Sequence, residues 1–299
     1  MKIGLGTAQF GLTYGITNRE GQTPPEEVKR ILAAAAKNGI CFLDTAPLYG
    51  TSEEVLGKVL ASSNHPFSIV TKTPRYLKKC LTPDDAQLLE DTFYESLVKM
   101  KQSSVYGLLI HHAEDLLAEN GQLLIERMIT LKKRGLVKKI GISVYNSRQI
   151  DAVLERYTID LIQLPINVLD QRLLNSGHLK KLKKAGIEIH ARSVFLQGIL
   201  LTDPENLPDY FDSVKKHLQN YHRLRRQYGL SAIQTAIGFI VKQSYVDAFI
   251  LGITNRQQLE EICSAWYTLP EVDNEVDKFP YASFAVKDLS ILNPSLWPA

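Results

Sequence analysis

Cysteine is scarce in this sequence, which has only Cys41, Cys80 and Cys263 among its 299 residues. The three are widely spaced and form no C-x-x-C pair, so neither a disulfide framework nor a metal site of the usual spacing is expected. The cysteine content therefore indicates a protein of the reducing cytoplasm without a structural metal.

Long apolar runs and an excess of one charge are also lacking. No stretch approaches the roughly 18 consecutive apolar residues of a membrane span, and the start, MKIGLGTAQFG, lacks the apolar core of a secretory signal. Lys and Arg number 35 against 32 Asp and Glu, a net charge of +3. We therefore expect no membrane and no nucleic acid partner, and the oligomeric state stays open.

Eight short runs rich in Val, Ile and Leu are spaced along nearly the whole chain and predict strands. They are KIGLG from Lys2, CFLDT from Cys41, FSIVTK from Phe67, YGLLIH from Tyr106, KKIGIS from Lys138, DLIQLP from Asp160, IEIHAR from Ile187 and DAFILG from Asp247. Continuous apolar strands are typical of parallel sheets buried on both faces. The pattern favours a single-domain α/β protein over 1–299, a (β/α)₈ TIM barrel in 1–269 followed by a C-terminal segment in 270–299.

Helical periodicity fills the intervals between the strands. It predicts helices over 25–38, 52–62, 83–100, 121–134, 147–156, 171–185, 231–243 and 256–265. A longer connection of more than fifty residues follows the seventh strand and contains VKKHLQNYHRLRRQYG, a helix-like stretch whose basic face we expect to be solvated. This connection belongs either to the active-site face of the barrel or to a surface insertion.

A doubly wound open sheet is the alternative fold. Such a sheet normally has G-x-G-x-x-G after its first strand, but GLGTAQFG has Gln9 at the place of the third glycine. The segment that follows is rich in turn residues and does not predict a helix, so the barrel is the preferred fold.

Polar residues stand where the predicted strands end, and in a barrel these ends share one mouth. They are Asp44, Lys72, His111, Ser143, Gln163 and Arg192. A single residue of this kind is usually structural or solvated. Six of them at one mouth indicate a functional site.

Four of the residues near this mouth suit proton donation to a carbonyl group. A free tyrosine has a pKa near 10, and we expect the ammonium of Lys72 to lower the pKa of Tyr49. Asp44 would keep Lys72 charged and in place. His111 would orient a substrate carbonyl towards Tyr49, the general acid.

The motifs resemble those of the aldo-keto reductase family. FLDTAPLYGTSEEVLGKVL has the strand-end Asp and the Tyr five residues later, while IVTK and LLIHH resemble the family's Lys and His strands, and the likeness extends from GLGTAQFG to GITNRQQLEEI. The resemblance implies a (β/α)₈ barrel and hydride transfer between NAD(P)H and an aldehyde or ketone. It also implies a catalytic tetrad: Asp44, Tyr49, Lys72 and His111.

His111 and His112 are adjacent, and alternation along a strand predicts that they point to opposite sides. By motif position His111 is the catalytic candidate. His112 is expected in the loop that follows.

The resemblance also implies contacts with the cofactor, for which NADPH is the expected donor and NADH the alternative. Ser143 and Gln163 would bind the nicotinamide carboxamide, with Asp44 nearby. The remaining candidates lie at the end of the first strand, after the seventh and after the eighth: Gly6, Thr7, Gly198, Gly252, Thr254, Gln258 and Glu261. Arg256 is the nearest cation for a 2′-phosphate.

The sequence departs from the family pattern at three of these places. Val144 follows Ser143 where the family commonly has Asn, and Ile262 replaces the usual adenine-contacting Asn. Arg192 stands where an aromatic ring usually stacks on the nicotinamide. Because a guanidinium repels oxidised nicotinamide more than the neutral reduced ring, we expect Arg192 to favour the reduced cofactor.

The substrate is not identified by the sequence. Tyr14, Gln9 and Tyr145 are further candidates for its pocket, and the C-terminal segment either folds over the mouth or packs on the outside of the barrel. Two other functions are open: a non-enzymatic NADPH-binding regulatory subunit, and a Schiff-base lyase or aldolase that uses Lys72.

Overall fold

The computed structural model describes residues 1–61, 63 and 65–298. Its strands are β1 Lys2–Gly6, β2 Phe42–Asp44, β3 Ser68–Lys72, β4 Val105–Ile110, β5 Val137–Ser143, β6 Leu161–Pro165, β7 Glu188–Arg192 and β8 Ala248–Gly252. Each strand is parallel to the next along the chain, and β8 pairs with β1 to close the barrel. The (β/α)₈ barrel is confirmed, and the open sheet is wrong because β1 and β8 are not edges.

Helices occupy the connections around the barrel. They are α1 Ala8–Gly11, α2 Pro25–Lys37, α3 Ser52–Leu60, α4 Pro83–Met100, α5 Ala113–Leu117, α6 Gln122–Lys133, α7 Ser147–Arg156, α8 Arg172–Asn175, α9 His178–Lys184, α10 Asp212–Gln227, α11 Ala232–Val241, α12 Arg256–Thr268, α13 Asp273–Lys278 and α14 Leu289–Leu292. In the described part of the chain no helix is both long and apolar enough to cross a membrane.

Most predicted helices agree with the structure within a few residues. The helix expected over 171–185 is instead two helices, α8 and α9, because Gly177 between them has a φ of 77°, a left-handed conformation that interrupts a helix. The predicted helix end at Ser62 lies outside the described residues, as does Ala299 at the end of the C-terminal segment.

The register of the sheet places the functional strand ends side by side. Gly6 pairs with both Asp44 and Gly252, and Ser143 pairs with Gln163. Because all the strands run in the same direction, these positions share the carboxyl-terminal mouth of the barrel.

The interior of the barrel has a small apolar core of its own. Its buried members are Phe42, Val70, Leu109, Leu161 and Ala248. A larger apolar cluster fills the space between the strands and the helices. Burial on both faces explains why the strands appear in the sequence as continuous apolar runs.

Helix α10, in the connection from β7 to β8, is solvated on one side only. Val214, Leu218 and Tyr221 are buried, whereas Lys216 and Arg223 are exposed. The basic face is solvated as expected, and because α10 is amphipathic its opposite face covers the apolar cluster.

The C-terminal segment combines the two arrangements considered for it. Phe279 and Phe284 are buried and pack against Tyr221 of α10. Further along, Pro294 and Ser295 line the cavity at the mouth of the barrel. The segment therefore packs on the outer helices and also reaches the mouth.

A polar network fills the opposite, amino-terminal end of the barrel around Glu188. The carboxylate accepts hydrogen bonds from Tyr106 Oη at 2.7 Å and from Lys139, and it lies 2.6 Å from His190 Nε2. Burial alone would raise the pKa of Glu188, but the hydrogen bonds from His190, Lys139 and Tyr106 lower it to about 2.

We expect Glu188→Gln to destabilise the fold by about 2 kcal/mol at neutral pH, less than the free-energy equivalent of this pKa shift because solvent partly screens the carboxylate. A carboxylate with a lowered folded-state pKa stabilises the protein above its unfolded pKa, and this contribution is lost as the pH falls from about 4.5 towards 2. Urea unfolding of both proteins at several pH values measures the effect. A difference that stayed constant from pH 7 to about pH 3.5 would contradict it.

Candidate active site

A cavity of about 730 Å³ opens at the carboxyl-terminal mouth of the barrel. Each strand contributes to its lining a residue at or near its carboxyl end: Gly6, Asp44, Lys72, His111, Ser143, Gln163, Arg192 and Gly252. The structure thus brings together the strand-end residues that the sequence singles out, and Tyr49 joins them from the turn before α3.

The ammonium group of Lys72 is bonded on three sides. Nζ donates to Asp44 Oδ2 at 2.9 Å, to the carbonyl oxygen of Thr45 at 2.8 Å and to Tyr49 Oη at 3.3 Å. Burial lowers the pKa of Lys72, but Asp44 and then Tyr49 outweigh that effect, so the pKa lies above its ordinary value. An ammonium has three hydrogens, so all the N–H donors of Lys72 are occupied by these hydrogen bonds. The group remains positively charged.

Asp44 is held at both carboxylate oxygens. Its Oδ1 accepts from Gln163 Nε2 at 2.8 Å while Oδ2 faces Lys72, and its backbone carbonyl accepts from Thr7 Oγ1 at 3.0 Å. Gln163, expected at the nicotinamide carboxamide, therefore commits one of its two N–H donors to Asp44, which leaves the other N–H and the amide oxygen for a ligand contact. Asp44 is fixed as the counter-charge of Lys72.

Tyr49 presents its phenol to the cavity. The phenol oxygen accepts a hydrogen bond from Lys72, so its own hydrogen can be donated elsewhere. Burial raises the pKa of Tyr49 above its ordinary value, and the lowering effect of Lys72 does not overcome it. The expected lowering of this pKa was therefore wrong in net direction, because desolvation of the phenolate is the larger effect.

His111 lies next to Tyr49, with the two rings edge to face and their centroids 5.8 Å apart. Burial, followed by the charge of Lys72 and other nearby cations, lowers the pKa of His111 to about 2. The imidazole is therefore neutral at physiological pH and carries a single N–H. Among the described residues, none bonds to His111 Nδ1.

His112 lines the cavity together with His111. Their rings stack, with centroids 4.7 Å apart and planes inclined by 20°. The prediction that the two point to opposite sides was wrong, because β4 ends at Ile110 and the alternation of a strand no longer applies.

The turn that carries Tyr49 is fixed against α1. Ser52 Oγ donates to the carbonyl oxygen of Thr7 at 2.9 Å. A Cβ atom at Gly11 would lie 1.8 Å from the carbonyl oxygen of Tyr49, so this approach requires glycine. Thr7 is fully buried and does not line the cavity. Its part is to position Asp44 and Ser52 by hydrogen bonds. Gly11 is a further positioning residue, which sequence reasoning missed.

Arg192 ends β7 and lines the cavity. Its guanidinium carbon is 4.2 Å from the centroid of the Tyr145 ring, and Nη2 donates to the carbonyl oxygen of Val144 at 3.1 Å. Arg192 is therefore supported on one face by Tyr145 and held at the end of β5.

Gln197 joins two connections along the cavity wall. Its side-chain oxygen accepts from the backbone N–H of Ile16 at 2.9 Å, and its carbonyl oxygen accepts from Thr17 Oγ1 at 2.7 Å. The next residue, Gly198, has a φ of 92°, and a Cβ there would lie 2.2 Å from Thr17 Oγ1. Gly198 is required for this close approach, and Gln197 was not among the predicted residues.

The far end of the cavity is lined by residues that follow β8, as the sequence suggests: Gly252, Thr254, Gln258 and Glu261. Arg256 does not line it. Its Nε donates to Glu260 at 2.6 Å and its backbone N–H donates to Glu27. Arg19, in the turn-rich segment after α1 that sequence reasoning set aside, does line the cavity. Its neighbour Glu20 accepts from Asn255, ahead of α12, which places this segment towards the same end.

The sequence model of the Aldo/keto reductase family matches residues 2–279. The chain belongs to this family. Two relatives from Bacillus subtilis cover most of the chain. The uncharacterized oxidoreductase YqkF is 24% identical over 278 residues, which are 87% of this chain and 85% of that protein. The aldo-keto reductase YhdN is 25% identical over 285 residues, 87% of this chain and 83% of that protein.

Solved structures share the barrel of this aldo/keto reductase. The aldo-keto reductase AKR11C1 from Bacillus halodurans has a TM-score of 0.73 at 20% identity and covers 96% of this chain and 94% of its own. The glycerol dehydrogenase AKR11B4 from Gluconobacter oxydans has a TM-score of 0.67 at 19% identity and covers 98% of this chain and 92% of its own. At these identities the likeness concerns the fold.

Proposed function

We propose that this aldo/keto reductase transfers a hydride between NAD(P)H and an aldehyde or ketone, with Tyr49 as the general acid. The observation that carries the proposal is the position of the Tyr49 phenol. It lines the cavity, it accepts a hydrogen bond from the buried Lys72, and Lys72 is bonded to Asp44. This arrangement holds a protonated phenol where a ligand can reach it.

Each of the four residues has a defined part in the proton transfer. Tyr49 donates its proton to the carbonyl oxygen, and the ammonium of Lys72 stabilises the phenolate that forms. Asp44 keeps Lys72 charged. Neutral His111 donates its single N–H to the carbonyl oxygen and so orients the substrate towards Tyr49.

The cavity fits a nicotinamide dinucleotide, which supplies the hydride when bound. It runs from the tetrad to the polar end at Gln258 and Glu261, and its walls include Gly6, Gly198 and Gly252. We propose that Ser143 and the amide oxygen of Gln163 contact the carboxamide. The remaining proposed contacts are Arg192 beside the nicotinamide and Thr254, Gln258 and Glu261 at the adenosine end.

The alternatives have less support. A Schiff base requires a neutral lysine nitrogen, whereas Lys72 has a raised pKa and all of its hydrogens are bonded. A non-enzymatic regulatory subunit would have no use for the assembled tetrad. The activity measurement below distinguishes such a subunit from an enzyme. We propose a cytoplasmic location, which the scarcity of cysteine in the sequence supports.

We expect Tyr49→Phe to lower kcat for the reduction of 4-nitrobenzaldehyde by about 10²-fold or more, because the general acid is lost. NADPH oxidation at 340 nm measures the rate. Tyr267→Phe is the matched control, since Tyr267 is exposed and its hydroxyl bonds only to Asn38 among the described residues. Equal turnover by wild type and Tyr49→Phe would refute the acid. A wild type that binds NADPH but never turns over would favour the regulatory subunit.

We propose NADPH as the preferred donor, with Arg19 rather than Arg256 contacting the 2′-phosphate. Arg19→Gln should then raise the Kd for NADPH by about tenfold, the loss of one charge-assisted hydrogen bond, and leave the Kd for NADH nearly unchanged. Cofactor fluorescence titration measures both constants. Arg256→Gln is the control, and an NADPH-selective loss in that variant instead would return the role to Arg256.

A further inference from the structure

Arg192 is a partly buried cation on the catalytic side of the cavity. Its guanidinium donates to Val144 O at 3.1 Å and to Ser193 Oγ at 3.4 Å, and one face lies on Tyr145. Within residues 1–61, 63 and 65–298, no carboxylate forms an ion pair with it. A guanidinium has five N–H donors, so most of them are available to a ligand.

The acidic side chains nearest the mouth have partners other than Arg192. Asp44 is paired with Lys72 at 2.9 Å, and Asp170 with Arg172. Glu114, close to His112, accepts from the side chain of Gln149. The other carboxylates of the cavity are at its far end: Glu20, which accepts from Asn255 ahead of α12, and Glu261 within α12.

Because Asp44 offsets the charge of Lys72, the remaining charge around the reacting end is positive and comes from Arg192 and Arg75. Lys72, Arg192 and the exposed Arg75 all act on the His111 ring to disfavour its protonation, together with His112. Arg192 also acts on the phenols of Tyr49 and Tyr14. A ligand bound beside Tyr49 thus lies in a positive potential, which favours a negative charge on that ligand.

We infer that the carbonyl substrate carries an anionic group, a carboxylate or a phosphate, and that Arg192 binds it. The inference rests on the proposed reductase function and specifies its substrate class. An unpaired charge in a partly desolvated cavity is unfavourable until an anion compensates it. The planar fork of a guanidinium matches both carboxylate and phosphate in a bidentate manner.

The test compares two aldehydes that differ in charge, 4-carboxybenzaldehyde and methyl 4-formylbenzoate, with NADPH as donor. Wild type should have the higher kcat/KM for the carboxylate. Arg192→Gln should reduce the ratio of the two kcat/KM values by at least about tenfold, mainly through KM, because a charge-assisted hydrogen bond is lost. Arg192→Lys should restore part of the ratio.

The ratio separates this inference from effects on the cofactor, because both aldehydes share the same donor. Arg75→Gln, which removes an exposed cation that acts on His111 but does not line the cavity, is the matched control and should change the ratio less than Arg192→Gln does. An unchanged ratio in Arg192→Gln would overturn the inference and leave the reductase function intact. So would an equal loss for both aldehydes accompanied by a higher Kd for NADPH, because Arg192 would then bind the cofactor's pyrophosphate.

A binding measurement decides the matter even if neither aldehyde is reduced. Calorimetric titration of the NADPH complex with benzoate should show binding that Arg192→Gln weakens at least about tenfold, while benzamide binds both proteins alike. No binding of benzoate, or equal binding by the two proteins, would overturn the anion site. Turnover of the neutral ester, measured separately, reports on the reductase function alone.

Discussion

The buried ion pair between Lys72 and Asp44 is the interaction on which the site depends. A lysine that is 2% exposed would lose its proton readily if it stood alone. The parallel pairing of β2 with β3 places a carboxylate 2.9 Å away, and the ammonium stays charged. Tyr49 is bonded to Lys72 and Gln163 to Asp44. The pair therefore connects the proposed acid to the wall expected to hold the nicotinamide.

The cavity is divided by charge along its length. Its catalytic end combines the neutralised pair of Lys72 and Asp44 with the unpaired Arg192, whereas Glu261 and Arg19 share the far end. A small anionic carbonyl compound suits the first environment, and a nucleotide suits the second. One barrel mouth thus provides two ligand environments, because different strands and connections supply the side chains of each end.

Much of the barrel fold and of its polar mouth could be predicted from the sequence, because the alternation of apolar runs with helical periods is local information. The apolar runs end close enough to the observed strand ends to single out Asp44 and Lys72 from the sequence alone. The direction in which the pKa of Tyr49 shifts could not be predicted from the sequence, since it depends on whether burial of the phenol outweighs the charge of Lys72. The expectation that Arg256 faces a 2′-phosphate does not fit the structure, because its side chain bonds to Glu260 and its backbone N–H to Glu27. Arg19 is brought to the cavity by a segment without periodicity.

The protonation of Lys72 tests the central claim most directly. The pKa of Lys72 can be measured by the pH dependence of its ¹³Cε resonance, assigned by comparison with Lys72→Met, in the wild type and in Asp44→Asn. We expect the pKa of Lys72 to lie above its ordinary value of 10.5 in the wild type. In a folded Asp44→Asn protein the pKa should fall below that value, because burial is no longer opposed by the carboxylate. The same pKa in both proteins would contradict the role of the ion pair.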